Sequence, residues 1–453
     1  MLNFRASEVA LWTRGQLAGA DVAVRGVATD SRRLDGGELF VALKGENHDG
    51  HDHVAAAAAA GAAAALVSRQ LDADVPQIVV ADTLAALGDL ASAVRARRQA
   101  RVVGITGSNG KTTVKTLVAS ILSRHGRTHV NAGNFNNEIG LPLTLLAMPE
   151  DTEYAVLEMG AGKPGDITYL ASIARPDIGV VNTIAPAHLE RMGSLQGIAE
   201  TKGALYEALP ADGTAVINAD GDFAGFFTGL AGARTILRFA IDKTADVTAD
   251  IESMDAQGSR FRLVTPRGNA SVRLPLPGRH NVANALAATA IACALEVPLG
   301  TIVEGLEHVD PVGGRLNTRV MPGGWTLIDD SYNANPGSVA AAIDTLLLAP
   351  GEHWLVLGDM AELGPDARQL HADLGTLARE RGVERLFTIG PMACAAAESF
   401  GAQAQHFEDQ AALSNALRTA VHEGVTCLVK GSRASAMDRV VDALNEGGEH
   451  HAA

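Results

Sequence analysis

The residues with the clearest chemical capacity lie in VVGITGSNGKTTVKTL, residues 102–117, where a glycine-rich turn ends in Lys-Thr-Thr. An apolar run precedes the turn and an amphipathic pattern follows it, which predicts a strand, a turn and a helix in that order. Backbone N–H groups of such a turn, together with the helix N-terminus, form a cradle for phosphate groups. Lys111 would reach the terminal phosphates, and the Thr112 hydroxyl is placed to bind Mg²⁺. The pattern predicts a site for a nucleoside triphosphate.

The glycine spacing of this turn departs from the common phosphate-loop pattern. That pattern requires a glycine five residues before Gly110, and Ile105 occupies the position. Glycines stand instead at Gly104, Gly107 and Gly110. A purely structural turn does not explain Gly-Lys-Thr-Thr in this context, so nucleotide binding remains the prediction. The expected contacts are Thr106, Gly107, Ser108, Asn109, Gly110, Lys111, Thr112 and Thr113.

Three further side chains could take part in phosphate chemistry. Glu158 ends the apolar strand YAVLEMG, which is expected in line with the phosphate-loop strand, where carboxylates commonly bind Mg²⁺. By itself, Glu158 also fits a solvated acid at a strand end. His188 follows the strand IGVVNTI and by itself fits a histidine that forms loop hydrogen bonds. Lys202, taken alone, fits a charge on a helix surface.

Strands and helices alternate along most of the chain and divide it into three regions. Residues 1–83 contain short strands and an alanine-rich segment, residues 55–65, which should be a helix that ends at Gly61. Residues 84–312 contain the strands RVVGIT, YAVLEMG, IGVVNTI and TAVINAD, which predict a largely parallel sheet. Residues 313–453 repeat the alternation, as is typical of a doubly wound sheet. The stretch from Pro311 to Gly314 is the expected hinge.

Composition and charge exclude several classes of protein. With 453 residues, 47% of them hydrophobic, the chain can form two to four domains with substantial cores. It carries 37 basic and 52 acidic residues, a net charge of −15, and this argues against nucleic acid or an anionic membrane as the main partner. We find no signal pattern or apolar run long enough to span a bilayer. With three unpaired cysteines, these features predict a cytoplasmic protein.

The spacing G-x-T-G-x-x-G-K-T-T resembles that of the Mur ligases, the ATP-dependent amide-forming enzymes of peptidoglycan precursor synthesis. TDSRRLDGGELFVALKGENHDGH is similar to the uridine-nucleotide-binding domain of the later ligases. GNFNNEIGLP, DDSYNANPGS and LGDMAELG resemble the member that adds a dipeptide. The resemblance covers nearly the whole chain and implies a three-domain α/β fold. Its parts are a small uridine-binding domain, a central parallel-sheet ATPase domain with the phosphate loop, and a C-terminal Rossmann-like domain.

The resemblance also implies a reaction. ATP would phosphorylate the peptide carboxyl of UDP-N-acetylmuramoyl-tripeptide, and D-alanyl-D-alanine would then attack the acyl phosphate. The family places Mg²⁺, as two ions, on Thr112, Glu158, His188 and a carbamylated Lys202. With Lys111, the last three form the expected catalytic set. The family further suggests a monomer.

Further binding roles follow from the resemblance. Asn281 and Asn284 lie one helical turn apart, where their amides can pair with adenine, although Asn281 also fits a helix cap. Arg315 and Asp330 are expected at the nucleotide phosphates and at the ribose or a magnesium-bound water. The expected contacts to uridine diphosphate are Asp30, Ser31, Arg32, Lys44 and His51, and those to the sugar or peptide are Asn134, Asn136 and Asn137. The expected contacts to ATP or the dipeptide are Tyr332, Asn333 and Asn335. Lys430 and Arg433 are the expected partners of the dipeptide carboxylate. Lys430 fits an ordinary strand-end lysine equally well.

Three other interpretations have less support. The member that adds the third amino acid has an Asp-Asn-Pro-Arg motif that is absent here, and SYNANP stands in its place. Folylpolyglutamate synthetase shares the core but lacks a uridine-binding first domain. A nucleotide-dependent switch without ligase chemistry would leave Glu158, His188 and Lys202 dispensable. The sequence does not distinguish diaminopimelate from lysine at the third position of the peptide.

Overall fold

Three sheets, each built from a consecutive region of the chain, organise the computed structural model, which describes residues 3–45, 47–310 and 313–446. The N-terminal region contains β1 (Phe4–Arg5), α1 (Ala6–Trp12), β2 (Gln16–Ala18), β3 (Ala23–Val24), β4 (Val27–Ala28), β5 (Leu39–Val41), α2 (Val54–Ala59), β6 (Ala64–Val67), β7 (Gln77–Val79) and α3 (Thr83–Arg95). Its five-stranded sheet has the order β2-β7-β6-β5-β4 and is parallel except at β2. Strands β1 and β3 form a separate antiparallel pair.

The alanine-rich segment is a shorter helix than the sequence predicts. Helix α2 ends at Ala59, and Gly61 follows with a left-handed φ of 94° that a helix cannot accommodate. Ala64 and Ala65 already belong to β6, where both are fully buried. The expected stop at Gly61 is therefore confirmed, but the last alanines are part of the sheet core.

The central region contains β8 (Arg101–Thr106), α4 (Lys111–Leu122), β9 (Thr128–Val130), α5 (Gly140–Leu146), β10 (Tyr154–Glu158), α6 (Asp166–Ala174), β11 (Ile178–Val181), α7 (Leu189–Met192), α8 (Leu195–Glu207), β12 (Thr214–Asn218), α9 (Ala224–Ala231), β13 (Thr235–Ala240), β14 (Val247–Asp255), β15 (Gly258–Thr265), β16 (Gly268–Leu274), α10 (Arg279–Ala294) and α11 (Leu299–Glu307). Its sheet has the order β16-β15-β14-β13-β12-β11-β8-β10-β9. The strands from β8 to β14 pair in parallel, as expected. Strands β14, β15 and β16 form an antiparallel end that the sequence analysis did not predict.

Strand β8 lies between β10 and β11, and this position determines where the site forms. The carboxyl ends of parallel strands meet at one edge of a sheet, and ligands bind where the strand order reverses. The phosphate-loop turn follows β8, Glu158 ends β10, and Asn182 follows β11. These three groups therefore lie side by side.

The C-terminal region contains β17 (Asn317–Val320), β18 (Thr326–Asp330), α12 (Pro336–Leu346), β19 (Glu352–Gly358), α13 (Ala367–Arg381), β20 (Arg385–Ile389), α14 (Cys394–Phe400), β21 (Ala404–Phe407), α15 (Gln410–Ala420), β22 (Val425–Lys430) and α16 (Asp438–Glu446). Its sheet has the order β17-β18-β22-β19-β20-β21 and is parallel except at β17. Asp330 and Lys430 end neighbouring strands and are paired in register.

Buried apolar side chains connect the first two regions. One cluster contains Leu66 and Ile78 of the N-terminal sheet together with Leu87, Leu141 and Leu157. A second cluster packs α4, α10 and α11 on the opposite face of the central sheet. Within the described residues, no helix is both long enough and apolar enough to cross a membrane. Of the expected hinge, Pro311 and Val312 lie outside the described residues.

Candidate active site

A cavity of about 710 Å³ lies where the central and C-terminal domains face each other. Its walls are the phosphate loop, the asparagine loop of residues 134–137, the start of α10 and the loop after β18. The predicted site residues that line it are Ser108, Asn109, Gly110, Lys111, Thr113, Asn134, Asn136, Asn137, Glu158, His188, Asn281, Asn284, Arg315, Asp330, Tyr332, Asn333, Asn335 and Lys430. Residues from three distant stretches of the chain thus meet in one cavity.

The phosphate loop is held by the segment that follows β11. Ser108 N donates to the Thr183 carbonyl at 2.7 Å, and Asn109 N donates to the Thr183 hydroxyl at 3.0 Å. Gly110 has a φ of 78°, and a Cβ there would collide with the side chains of Asn182 and Asn284. Because α4 begins at Lys111, its first N–H groups have no acceptor within the described part of the chain. They remain available for an anion.

Thr106 and Gly107, two of the predicted nucleotide contacts, have a structural role in the turn. The Thr106 side chain is fully buried at the end of β8, and its hydroxyl donates to the Met159 carbonyl at 2.8 Å. Gly107 has a φ of 146° and approaches the backbone of Asn182 and Thr183. Both therefore shape the turn, and neither lines the cavity.

Glu158 is a buried carboxylate with a dense set of partners. Its oxygens accept hydrogen bonds from the Thr112 hydroxyl at 2.8 Å and the Asn136 amide at 2.7 Å. The Lys115 ammonium lies 3.5 Å away. Burial raises the pKa of Glu158, but the charges of Lys111 and Lys115 and these hydrogen bonds outweigh it, so the net pKa is lowered. Glu158 is therefore held in its charged form.

Lys111 curls back onto its own loop. Its ammonium group donates to the Gly107 carbonyl at 2.8 Å. Burial lowers its pKa, while the nearby charge of Glu158 opposes the shift. In this position the cation lies between the phosphate loop and the carboxylate of β10, where a terminal phosphate would reach it.

Lys202 is a buried amine that forms no direct ion pair within the described residues. Its side chain on α8 is 1% exposed and forms no hydrogen bond or ion pair within the described residues. Burial, assisted by the charge of Lys111, outweighs the attraction of the Asp166 carboxylate and lowers the pKa of Lys202 to about 7. A surface-charge role is thus inconsistent with its position, because the residue lies in the interior of the central domain.

His188 lies at the junction of two domains. It precedes α7 with a left-handed φ of 56°, and its Nδ1 pairs with a carboxylate oxygen of Glu362 from the C-terminal domain. Burial lowers the pKa of His188 and outweighs the opposing charge of Glu362, so the ring is disposed to be neutral. A neutral imidazole with Nδ1 occupied retains a lone pair on Nε2.

A chain of side-chain amides connects the predicted adenine site to the phosphate loop. Asn182 donates to the Asn284 oxygen at 2.8 Å and to the Asn109 carbonyl at 3.0 Å. Asn284 donates to the Asn281 oxygen at 3.1 Å, and Asn281 donates to the Pro277 carbonyl at 2.8 Å. Asn281 and Asn284 line the cavity, but these hydrogen bonds already use much of their capacity.

The C-terminal wall of the cavity is rich in cations. Arg315, which lines the cavity, and Arg433, which does not, both place a guanidinium group over the Tyr332 ring, at 4.5 Å and 5.4 Å from its centre. Lys430 is 3% exposed, pairs with Asp330 and donates to the Asn333 carbonyl at 3.0 Å. Burial raises the pKa of Asp330 despite this lysine. The ion pair therefore occupies Lys430, whereas Arg433 is exposed.

A reciprocal amide pair joins the phosphate loop to the C-terminal domain. Asn335 donates to the Asn109 oxygen at 2.6 Å, and Asn109 donates to the Asn335 oxygen at 3.3 Å. Asn335 also caps α12, because its oxygen accepts from Ser338 N at 2.9 Å. The loop that would hold the nucleotide is thus in direct contact with the domain that faces it.

The predicted uridine contacts lie in the N-terminal domain and do not line the cavity. Asp30 caps a short helical turn at Ser31 and pairs with Arg32 at 2.8 Å, which lowers the pKa of Asp30 to about 2. Lys44 is exposed and bridges to Asp49 through the backbone. His51 is 5% exposed and contacts Asp49 and Ser68 through its two ring nitrogens.

Sequence reasoning missed several residues that hold the site together. Lys115 lies one helical turn after Lys111 and therefore shares its face of α4. Asn131 anchors Glu158, since its amide donates to the Glu158 carbonyl and accepts from Glu158 N, each at 3.0 Å. Asn182 ends a recognised strand, and Glu362 lies within the motif LGDMAELG. The sequence shows where these residues lie along the chain, but it does not show which groups they contact.

Comparison with known proteins identifies family domains along most of the chain. The model of the Mur ligase middle domain matches residues 105–292, that of the Mur ligase glutamate ligase domain matches residues 314–433, and that of the Mur ligase family catalytic domain matches residues 23–95. The UDP-N-acetylmuramoyl-tripeptide–D-alanyl-D-alanine ligase of Escherichia coli is 44% identical over 451 residues, which cover 99% of this chain and 100% of that protein. The corresponding ligase of Bacillus subtilis is 35% identical over 98% of this chain and 99% of that protein.

Solved structures show the same architecture. MurF from Acinetobacter baumannii superposes with a TM-score of 0.93 at 36% identity, covering 98% of this chain and 99% of that one. MurF from Thermotoga maritima, solved in complex with ADP, has a TM-score of 0.85 at 28% identity over 95% of this chain and 99% of that one. With three family domains matched in order and relatives of this identity over nearly the full length, the chain belongs to the Mur ligase family of ATP-dependent ligases.

Proposed function

We propose that this chain joins D-alanyl-D-alanine to UDP-N-acetylmuramoyl-tripeptide, with ATP converted to ADP and phosphate, as a cytoplasmic step in peptidoglycan precursor synthesis. The observation that carries the proposal is the shared cavity. It brings the phosphate loop, the charged Glu158 and the cation-rich C-terminal wall together in a space of about 710 Å³. This is the arrangement that a ligase with a nucleotide and two further substrates requires. The name of the Escherichia coli relative indicates the same substrates.

The reaction divides into two substitutions. A carboxylate oxygen of the tripeptide attacks the γ-phosphorus of ATP, and ADP leaves, so that an acyl phosphate forms. The free amine of the dipeptide then attacks the acyl carbon, and phosphate leaves as the amide forms and the amine loses its proton. In the first step, the free N–H groups of α4 and the Lys111 ammonium bind the phosphates and offset their charge.

The residues around Glu158 fit a hard divalent cation. Thr112 and Glu158 offer oxygen ligands, and Glu158 is held in its charged form. Among the described residues, no three His, Cys, Asp or Glu side chains converge, so the set needs a further anionic ligand. A carbamate on Lys202 would supply it, since the buried amine has a pKa of about 7 and carbon dioxide reacts with the uncharged form. Mg²⁺, as two ions with His188 as a further ligand, would then neutralise phosphate charge.

The remaining assignments follow the walls of the cavity. Asn281, Asn284 and Arg315 line the cavity, and we assign the two asparagines to adenine and Arg315 to the phosphates. Lys430 lines the cavity but is paired with Asp330, whereas Arg433 lies outside the cavity lining and has no ion pair within the described residues, so we assign the dipeptide carboxylate to Arg433. Asp30, Ser31, Arg32, Lys44 and His51 remain the proposed uridine diphosphate contacts, with His51 acting through its buried position. We propose domain boundaries at residues 83 and 312, and a monomer.

The decisive experiment measures phosphate release from ATP and Mg²⁺ with UDP-N-acetylmuramoyl-tripeptide, with and without D-alanyl-D-alanine. Release that requires the dipeptide, together with the matching mass gain of the uridine nucleotide, is expected. Single amino acids serve as rival acceptors, offered with UDP-N-acetylmuramoyl-dipeptide. Turnover with a single amino acid instead of the dipeptide would identify the preceding ligase of the family and reject the proposal.

A further inference from the structure

A contact between Glu362 and His188 crosses from the C-terminal to the central domain beside the candidate active site. The carboxylate of Glu362 pairs with Nδ1 of His188. The backbones meet as well, because Glu190 N donates to the Glu362 carbonyl at 3.4 Å. Gly364 lies against the backbone of Glu190, where a Cβ at Gly364 would be 3.7 Å from its Cα. The two loops therefore form a continuous domain contact.

Both partners have an unfavourable backbone conformation. His188 has a φ of 56° and Glu362 a φ of 60°, in the left-handed region that residues other than glycine seldom adopt. Such a conformation is unfavourable for residues with a side chain, and it tends to occur where a side chain must be presented to a functional site. Here the two strained residues are each other's partners.

The loop that carries Glu362 is anchored on both sides. Met360 is 3% exposed and Leu363 is 2% exposed, and both belong to the core of the C-terminal domain. Met360 N donates to Nε2 of His371 at 2.9 Å, and that ring is fully buried on α13. These anchors fix the backbone on both sides of Glu362, whose partly exposed carboxylate pairs with His188.

We propose that Glu362 is the positioning residue for His188, an inference that rests on the proposed metal-binding role of that histidine. By accepting from Nδ1–H, the carboxylate selects the tautomer in which Nε2 carries the free lone pair, and it fixes the plane of the ring. Glu362 belongs to the C-terminal domain, so this orientation exists only while that domain is docked. The central domain alone then holds an incomplete ligand set.

Three variants separate the possibilities. Glu362→Ala removes the acceptor, and Glu362→Gln keeps an acceptor oxygen but removes the charge. Asp366→Ala is the matched control, since Asp366 is an exposed carboxylate in the same loop whose side chain forms no capping hydrogen bond. The readouts are the affinity for Mn²⁺ in the presence of ADP, from electron paramagnetic resonance, and the steady-state constants of the ligase reaction.

Glu362→Ala is expected to weaken Mn²⁺ binding about 10–100-fold, the usual effect of losing the hydrogen-bond partner of a metal-binding histidine. The loss should appear in kcat and leave the KM for the uridine nucleotide unchanged. Glu362→Gln should retain more affinity than Glu362→Ala, and Asp366→Ala should bind Mn²⁺ like the unmodified protein. In a His188→Ala background, Glu362→Ala should have no further effect, because the residue acts through the ring.

Two results would overturn this inference without affecting the proposed function. One is an unchanged Mn²⁺ affinity in Glu362→Ala while His188→Ala weakens binding. The other is an effect of Glu362→Ala that persists at full size in the His188→Ala background. An unchanged Mn²⁺ affinity in His188→Ala would instead show that His188 does not bind the metal. That part of the proposed function would then be wrong, and so would the inference that rests on it. Dependence of phosphate release on the dipeptide remains a separate test of the reaction.

Discussion

At the scale of single residues, the candidate site concentrates charge in the interior of the protein. Glu158 is 3% exposed, and Lys115 and Lys202 are 5% and 1% exposed. Isolated buried charges are costly, so each must be paired, neutralised or chemically modified. Glu158 and Lys115 pair with each other. Lys202 has no such partner within the described residues, and two predictions follow from this difference.

The first prediction concerns the carbamate proposed on Lys202. The pKa of about 7 means that the amine is mostly protonated below pH 7 and mostly neutral above it. Only the neutral amine reacts with carbon dioxide, so the amount of carbamate at equilibrium with a fixed concentration of bicarbonate should rise from about pH 6 to about pH 8 and then level off. The intensity of a carbamate resonance in ¹³C nuclear magnetic resonance, after equilibration with labelled bicarbonate, measures this amount.

The control for this measurement is Lys202→Arg, because arginine keeps its proton and forms no carbamate. The variant should lack the resonance and lose ligase activity. A resonance of equal intensity in Lys202→Arg would assign the carbamate to another lysine. Full activity in unmodified protein without any carbamate signal would refute the proposal.

The second prediction concerns Lys115. Lys115→Met leaves the buried Glu158 without its closest cation, so we expect a loss of about 2–3 kcal/mol in the free energy of unfolding. Urea unfolding followed by circular dichroism measures the change. Lys163→Met is the control, since Lys163 lines the cavity but is exposed, and its effect should stay within about 0.5 kcal/mol. Equal losses in the two variants would show that the pair does not stabilise the fold.

At the scale of elements, the phosphate loop depends on the close approach of α10 and the segment after β11. Gly110 opens α4 with a φ of 78°, and the amides of Asn182 and Asn284 lie directly against its Cα. The loop therefore has no room for a side chain. The glycines of this turn are required by packing against two other elements as much as by the phosphate groups.

Gly110→Ala is accordingly expected to displace the loop and weaken ADP binding at least about 100-fold, because the added Cβ meets rigid amides and the backbone conformation is also unfavourable. Isothermal titration calorimetry measures the affinity. Gly225→Ala in α9 is the control, as a Cβ there meets nothing within 4 Å and it should bind ADP normally. Undiminished affinity in Gly110→Ala would mean that the loop can adjust without cost.

At the scale of the whole molecule, two side-chain pairs among the described residues connect the C-terminal domain to the candidate site of the central domain. One is the pair between Glu362 and His188, and the other is the amide pair between Asn335 and Asn109. The first reaches a proposed metal ligand and the second reaches the phosphate loop. Nucleotide binding and the position of the C-terminal domain should therefore influence each other.

Asn109→Ala tests this connection, since it removes the amide pair but leaves the cap of α12 by Asn335 intact. We expect a more open average shape with ADP bound, seen as a larger radius of gyration in small-angle X-ray scattering. The KM for the dipeptide should also rise several-fold. Asn134→Ala is the control for shape, because its side chain forms no hydrogen bond to the C-terminal domain within the described residues. Identical scattering of Asn109→Ala and the control would argue against the connection.

The sequence by itself determined the alternation of strands and helices, the phosphate loop and the family resemblance, because periodicity and glycine-rich turns are local features. Even there, packing decided details: α2 ends at Ala59, the last alanines of the segment join β6, and β14, β15 and β16 add an antiparallel end to the sheet. The three-domain α/β class was predictable because the order of its motifs spans the chain.

Only the tertiary structure decided which polar groups face one another. Asn109 and Asn335 are 226 residues apart in the chain, and His188 and Glu362 are 174 apart. No local pattern encodes such a pair, since it arises from the strand order and from the docking of one domain on another. Burial likewise gives residues of the same type different properties. Lys202 resembles a surface lysine in its sequence context, yet packing of α8 places it in the interior, and that desolvation lowers its pKa to about 7.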